Sequence, residues 1–146
     1  MMGFGKRRKF NTAKERPVGI TGRSYHSKLE RDYRDKVLAA MEAAGEIRDI
    51  KDQPQVYLTD ARIGYRPDFM FYAQKQIQWG PDTVIQPGEQ VWIETKGFET
   101  ADWLIKKKLW SVYGPGKLII IGGRAGVRGF FKTKEVLSPR EARVLL

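Results

Sequence analysis

The sequence predicts an α/β fold, a mixed β-sheet flanked by helices. Three observations lead there. The stretch "HSKLERDYRDKVLAAMEAAGEI" carries apolar residues at helical spacing. "IGYRPDFMFYA", "VWIETKG" and "KLIIIGG" are apolar runs of strand length. A second helical segment, "TADWLIKKKLWSVYG", separates the last two of them. The order is helix, antiparallel strands, helix, strand, which packs as an α/β sandwich.

Residues 1–23, with "GKRRKF" and "RPVGITGR", are basic, aperiodic and glycine-containing, and read as a flexible arm. Residues 24–146 read as one domain. In the first helix Leu29, Tyr33, Val37, Ala40, Met41 and Ala44 form the predicted inward stripe. Ser27 caps its start with Glu30 three residues on, and Gly45 suits its end. "QPQVYL" is a short strand and "IGYRPDFMFYA" the next. "QKQIQWGPDTVIQPGEQ" is rich in turn formers and reads as an extended hairpin connection. In "VWIETKG", Trp92, Glu94 and Lys96 share one side, with Val91, Ile93 and Thr95 on the other. In the second helix Ile105, Lys108, Leu109, Val112 and Tyr113 are expected to face inward, with Lys106 and Lys107 off the stripe. Trp103 and Trp110 read as packing residues. "KLIIIGG" is a buried strand beside "VWIETKG". "RGFFKTKEV" adds a strand, and "SPREARVLL" a short terminal helix with Ser138 as cap and Pro139 at its first position.

Composition narrows the function. The chain has 146 residues and 27 Lys and Arg against 17 Asp and Glu, a formal charge of +10. That balance favours a nucleic acid or an anionic membrane as partner. Basic residues are interspersed with aromatics and no basic amphipathic helix is evident, so nucleic acid is favoured and a membrane is not. With no membrane-length apolar run and no secretory signal, the expected location is cytoplasmic, the host cytoplasm if the gene belongs to a phage. The chain has no Cys, which excludes disulfides, thiolate nucleophiles and Cys-type zinc sites. Its one histidine, His26, excludes multi-histidine zinc sites and reads as a surface residue. The arm is either a solvated tail or a wrap for a phosphate backbone, with Lys6, Arg7, Arg8 and Lys9 as candidate contacts.

One constellation carries chemistry. "RPDF" delivers Asp68 just after a proline, and "IETKG" places Glu94 and Lys96 on one strand face. Neighbouring strands lie about 5 Å apart, so the two carboxylates can meet. Two carboxylates with waters are how proteins hold magnesium beside a phosphate. Lys96 would then orient or deprotonate the attacking water, or neutralise charge developing at phosphorus. Plainer readings stand beside these. Asp68 serves as a turn residue, Lys96 as an ion-pair partner of Glu94, and Glu30 as a cap or surface carboxylate. Lys106, Lys107 and Lys108 form either a solvated face or a phosphate contact.

These motifs resemble the signature of the PD-(D/E)XK nuclease superfamily, "RPDF" followed by "IETKG". The acidic residue in "SKLERDY" and the lysine-bearing helix "DWLIKKKL" are similar to phage Holliday-junction resolvases of the endonuclease-I type. The likeness covers about residues 24–122; the basic arm and the tail after Gly122 lie outside it. It implies a restriction-endonuclease-like core and a structure-specific endonuclease that resolves four-way and other branched DNA by phosphodiester hydrolysis. Glu30, Asp68 and Glu94, with the carbonyl of Thr95, would hold Mg2+, Mn2+ being able to substitute. Lys96 would be the catalytic lysine, and a homodimer would match the two opposed cuts. Two alternatives stay open: a restriction- or transposase-type endonuclease on linear duplex, and a non-catalytic nucleic-acid binder.

Overall fold

In the computed structural model of the chain, residues 16–123 and 131–139 are described. Lys6, Arg7, Arg8 and Lys9, with the rest of residues 1–15 of the expected arm, lie outside them. Residues 17–25 turn back through a Val18–Ser24 bridge, and the Tyr25 N–H donates to the Pro17 carbonyl at 2.8 Å. Ser27 then opens helix α1, its hydroxyl accepting from the Glu30 N–H at 3.0 Å. Three contiguous stretches make up α1: α-helical Lys28–Asp32, π-helical Tyr33–Leu38 and α-helical Ala39–Ala43.

The wider π turn moves the buried register. Tyr33 is followed inward by Leu38, 0% exposed, five positions later. Val37 and Met41 are only partly buried, and Ala40 and Ala44 are exposed. The second half of the predicted stripe is corrected accordingly, because it assumed an uninterrupted 3.6-residue period. Gly45, at φ 75°, ends the helix as expected. Glu46 N–H reaches the Met41 carbonyl at 2.9 Å and Gly45 N–H the Glu42 carbonyl at 3.0 Å, a Schellman turn.

The strands are β1 (Ile47–Asp52), β2 (Val56–Leu58), β3 (Ile63–Tyr65), β4 (Phe69–Ala73), β5 (Ile77–Trp79), β6 (Thr83–Ile85), β7 (Gln90–Thr95), β8 (Lys117–Gly122) and β9 (Lys132–Leu137). Helix α2 spans Ala101–Tyr113, capped by the Thr100 hydroxyl. A five-stranded sheet runs in the order β1-β4-β7-β8-β9. Its β7–β8 pair is parallel, with α2 as the crossover, and its other pairs are antiparallel. β2–β3 and β5–β6 are separate hairpins, the second lying inside the predicted turn-rich connection. β9 supplies part of the strand expected at "RGFFKTKEV", of which residues 128–130 lie outside the described residues. Beyond Pro139 the predicted terminal helix lies outside the described residues.

Two strand expectations change. "IGYRPDFMFYA" is not one strand but two, β3 and β4, separated at Arg66–Asp68. Pro67 has no N–H to give to a ladder, which interrupts the strand there. β1 was not expected at all. Asp49 at φ 56° and a register shift between Arg48 and Lys51 disrupt the alternation that would reveal it.

Alternation sorts the core into two layers. Phe69, Phe71, Val91, Ile93, Ile119 and Ile121 face α1, meeting Tyr33 and Leu38. Met70, Trp92, Leu118 and Ile120 face α2 and the β2–β3 hairpin, meeting Trp103, Trp110 and Leu58. The inward face of α2 corrects its predicted stripe. Trp103 and Trp110 are buried, while Ile105, Val112 and Tyr113 are exposed and Leu109 is half-buried. The two indoles bury more apolar area than any aliphatic alternative. Trp110 meets Trp92 with ring centroids 5.4 Å apart and donates its Nε1–H to the Gly116 carbonyl at 2.8 Å. Lys106, between the indoles, is drawn partly inward, its Nζ donating to the Gly64 carbonyl at 2.8 Å. Among the described residues no helix is long and apolar enough to cross a membrane.

Candidate functional site

The sheet's open end, where β7 stops and β4 begins, collects the charged residues. Antiparallel register pairs Phe69 with Ile93, and one step further Asp68 falls opposite Glu94. The Lys96 N–H donates to the Ile121 carbonyl at 2.8 Å, so the parallel pairing with β8 fixes the chain just past Thr95. From the other layer the first turn of α1 brings Glu30 to the same end. A cleft of about 700 Å³ results, lined by Glu30, Asp68, Glu94, Thr95, Lys96 and His26 among others.

Glu30 and Glu94 are engaged at both carboxylate oxygens, Asp68 at one. Asp68 accepts two bonds at Oδ2, from the Thr95 N–H and the Thr95 hydroxyl, both at 2.7 Å. Glu94 accepts at Oε1 from the Tyr65 hydroxyl at 2.5 Å, while Lys96 Nζ stands 3.5 Å from its Oε2. Lys96 also lies over the Trp103 ring, 5.2 Å from its centroid. Glu30 accepts the His26 N–H at Oε1 at 2.8 Å, and Gln53 Nε2 approaches its Oε2 at 3.4 Å. The Glu30 and Glu94 side chains are almost wholly buried.

Burial first, and like charge second, shifts the protonation of these groups. Withdrawal from water pushes the Asp68 carboxyl well above the usual range, and the charges of Glu94 and Glu30 push it further, against the two Thr95 bonds. Burial raises Glu94 to about 6, opposed by the Tyr65 bond and by Lys96. Burial and the neighbouring Glu94 charge raise the Tyr65 hydroxyl far above its ordinary value, so it remains a donor at any physiological pH.

The structure therefore brings Glu30, Asp68, Glu94, Thr95 and Lys96 together, with Glu94 and Lys96 on one side of the strand as expected. His26 is exposed at its ring but walls the cleft, where Gln53 Nε2 meets its Nδ1 at 2.7 Å. Lys106 lines an adjoining cavity. Lys107 turns elsewhere, to Glu135 at 2.6 Å and Glu99 at 3.3 Å. Two residues of the site went unread in the sequence. Tyr65 carried a signal, an aromatic hydroxyl just ahead of Pro67-Asp68, hidden by taking residues 63–73 as one strand. Gln53 carried none.

Among the described residues no three acidic or histidine side chains form a ready-made metal cage. Asp68 and Glu94 nevertheless suit a hard cation. Both hydrogen bonds to Asp68 go to Oδ2, so no described donor occupies Oδ1. Magnesium is commonly held by one or two carboxylates, water and phosphate supplying the remainder. The raised carboxyls are those a nearby cation would relieve. Neither a scan against protein-family models nor a search of curated proteins finds a match to the chain.

Proposed function

We propose that the protein is a metal-dependent, structure-specific DNA endonuclease of the PD-(D/E)XK kind, with a restriction-endonuclease-like core, that resolves four-way junctions. The observation that supports this most is the convergence of Glu30, Asp68, Glu94 and Lys96, from separate segments, on one cleft. Asp68, Glu94 and the Thr95 carbonyl are the groups that would hold Mg2+, or Mn2+ in its place, with Glu30 beside them. Bound there, the cation supplies Lewis-acid polarisation of the phosphate and a more acidic water.

The chain's own groups do the rest. Thr95 fixes Asp68 through two hydrogen bonds, leaving Oδ1 to bind. Tyr65 fixes one oxygen of Glu94, and the other faces Lys96. The ammonium of Lys96 orients the attacking water and offsets the negative charge that builds at phosphorus. A net charge of +10 supplies affinity for the phosphate backbone, with Lys6, Arg7, Arg8 and Lys9 of the arm as further contacts. A homodimer acting in the cytoplasm, on the symmetric junction, would make the paired cuts.

The test is cutting of a four-way junction beside its matching linear duplex, with Mg2+ and with EDTA. The expected result is Mg2+-dependent cutting of the junction alone. Glu94→Gln and Lys96→Ala should each lower cutting by about 10²–10⁴-fold while junction binding persists. Equal cutting of both substrates would point to a duplex endonuclease, and binding without any cutting to a non-catalytic binder.

A further inference from the structure

A second cavity, of about 350 Å³, opens beside the cleft. It falls within the size range of pockets that take small ligands, roughly 300–1,000 Å³. Lys96 and Thr100 line both cavities, so the two are neighbours across one wall. Three cationic side chains, Arg66, Lys96 and Lys106, line the second, against the single carboxylate of Asp102. Lys96 is paired with Glu94 at 3.5 Å, and the other two are held by neutral groups. Arg66 donates its Nε–H to Gln55 Oε1 at 2.8 Å, and Lys106 Nζ donates to the Gly64 carbonyl at 2.8 Å. Both anchors are neutral, so the two positive charges are not consumed by an ion pair among the described residues.

The cavity is poorly suited to a base. Lys96 occupies the face of the Trp103 ring, and the Trp103 Nε1–H is spent on Glu99 at 3.2 Å. Gln55 is committed at both ends of its amide, to Arg66 and to the Val56 carbonyl. What remains is an anion site of fixed position. Successive phosphates of one strand follow at about 3.4 Å of helix axis. Because Lys96 and Thr100 line both cavities, a strand presenting one phosphodiester to the cleft beside Lys96 has the second cavity, with Arg66 and Lys106, next to it.

We infer that this cavity is a subsite for the phosphodiester adjacent to the one cleaved, on the same DNA strand, with Arg66 and Lys106 as its binding residues. The inference rests on the nuclease reading and gives it a direction: the strand crosses the site from the α1 side toward the β2–β3 hairpin. Arg66 and Lys106 then set the register of the cut rather than its chemistry.

The experiment uses the full chain and a labelled four-way junction in EDTA, so binding is read apart from cutting. The double variant Arg66→Gln, Lys106→Met keeps the side-chain stems. It should bind about tenfold more weakly, with a salt slope reduced by about one. A junction series with a single neutral methylphosphonate at successive positions supplies the second readout. One position next to the cut should weaken binding to the parent and leave binding to the double variant unchanged. An unchanged affinity and salt slope in the double variant, or an equal methylphosphonate penalty in both proteins, would overturn the subsite. A parent that cuts the junction while the variant behaves in that way removes the subsite alone. A parent that neither binds nor cuts removes the nuclease reading with it.

Discussion

One strand, β7, passes through two environments. Val91, Trp92 and Ile93 are buried among apolar side chains contributed by both layers. Glu94 follows at 5% exposure, buried like the residues before it, yet it carries a carboxylate beside two others. Burial does not distinguish the two regions; the company of each side chain does. In the body of the sheet alternation, packing and burial agree, as in a sequence optimised for stability. At its end they conflict, and such conflicts collect where function is served rather than stability. Asp68 and Glu94 sit above their ordinary protonation range because the fold holds them where water would not.

Breaking the body should cost most. Trp110 is fully buried between Trp92 and Tyr65. Trp110→Ala should lower stability by about 3–5 kcal/mol in urea unfolding. A loss below about 1 kcal/mol would mean the α2 layer is loosely packed.

Breaking the end should do the reverse. Burial raises Glu94 from 4.5 to about 6, so folding takes up a proton between those values. The favourable contribution is complete below pH 4.5 and is lost as pH rises through 6. At pH 8 the ionised group costs about 2 kcal/mol. Glu94→Gln should therefore be more stable than the parent by about that amount at pH 8 in EDTA, with the gain gone by pH 4. Glu30, Asp68, Tyr65 and Lys96 surround the group and remain in place. Lys96, a quarter exposed, can turn to water. A variant less stable at pH 8 would show that the Glu94–Lys96 pair stabilises the fold instead.

A smaller effect sharpens the contrast. At ten times its dissociation constant Mg2+ should add about 1.4 kcal/mol, a few degrees in melting temperature, at pH 8. The shift should fade by pH 5 as protons compete for the carboxyls, and be absent in Asp68→Asn. A shift of equal size in that variant would place the cation elsewhere.

The same contrast explains what could be read from the sequence. β7 and β8 were legible because continuous apolar runs have few other uses. So was the convergence of Asp68, Glu94 and Lys96, since short motifs at strand ends leave little freedom. The two ends of α1 were legible from Ser27 and Gly45, but not its register, because a π turn has no signature in apolar spacing. α2 misled for a related reason. A count of apolar positions favoured Ile105, Val112 and Tyr113, whereas two indoles outweighed them. β1 hid behind Asp49, whose left-handed backbone breaks the alternation. Tyr65 reaches the site from a hairpin whose strand was merged with the next in the reading, and Gln53 from a loop, through a contact that no local pattern encodes.

The central claim is that the acidic end of the sheet grips a divalent cation. Mn2+ titrated into the parent, Asp68→Asn and Glu94→Gln at pH 8, followed by electron paramagnetic resonance of free Mn2+, tests it most directly. The account predicts saturable uptake by the parent and little or none by either variant, with all three folded by circular dichroism. Uptake of the same strength by all three proteins would contradict it.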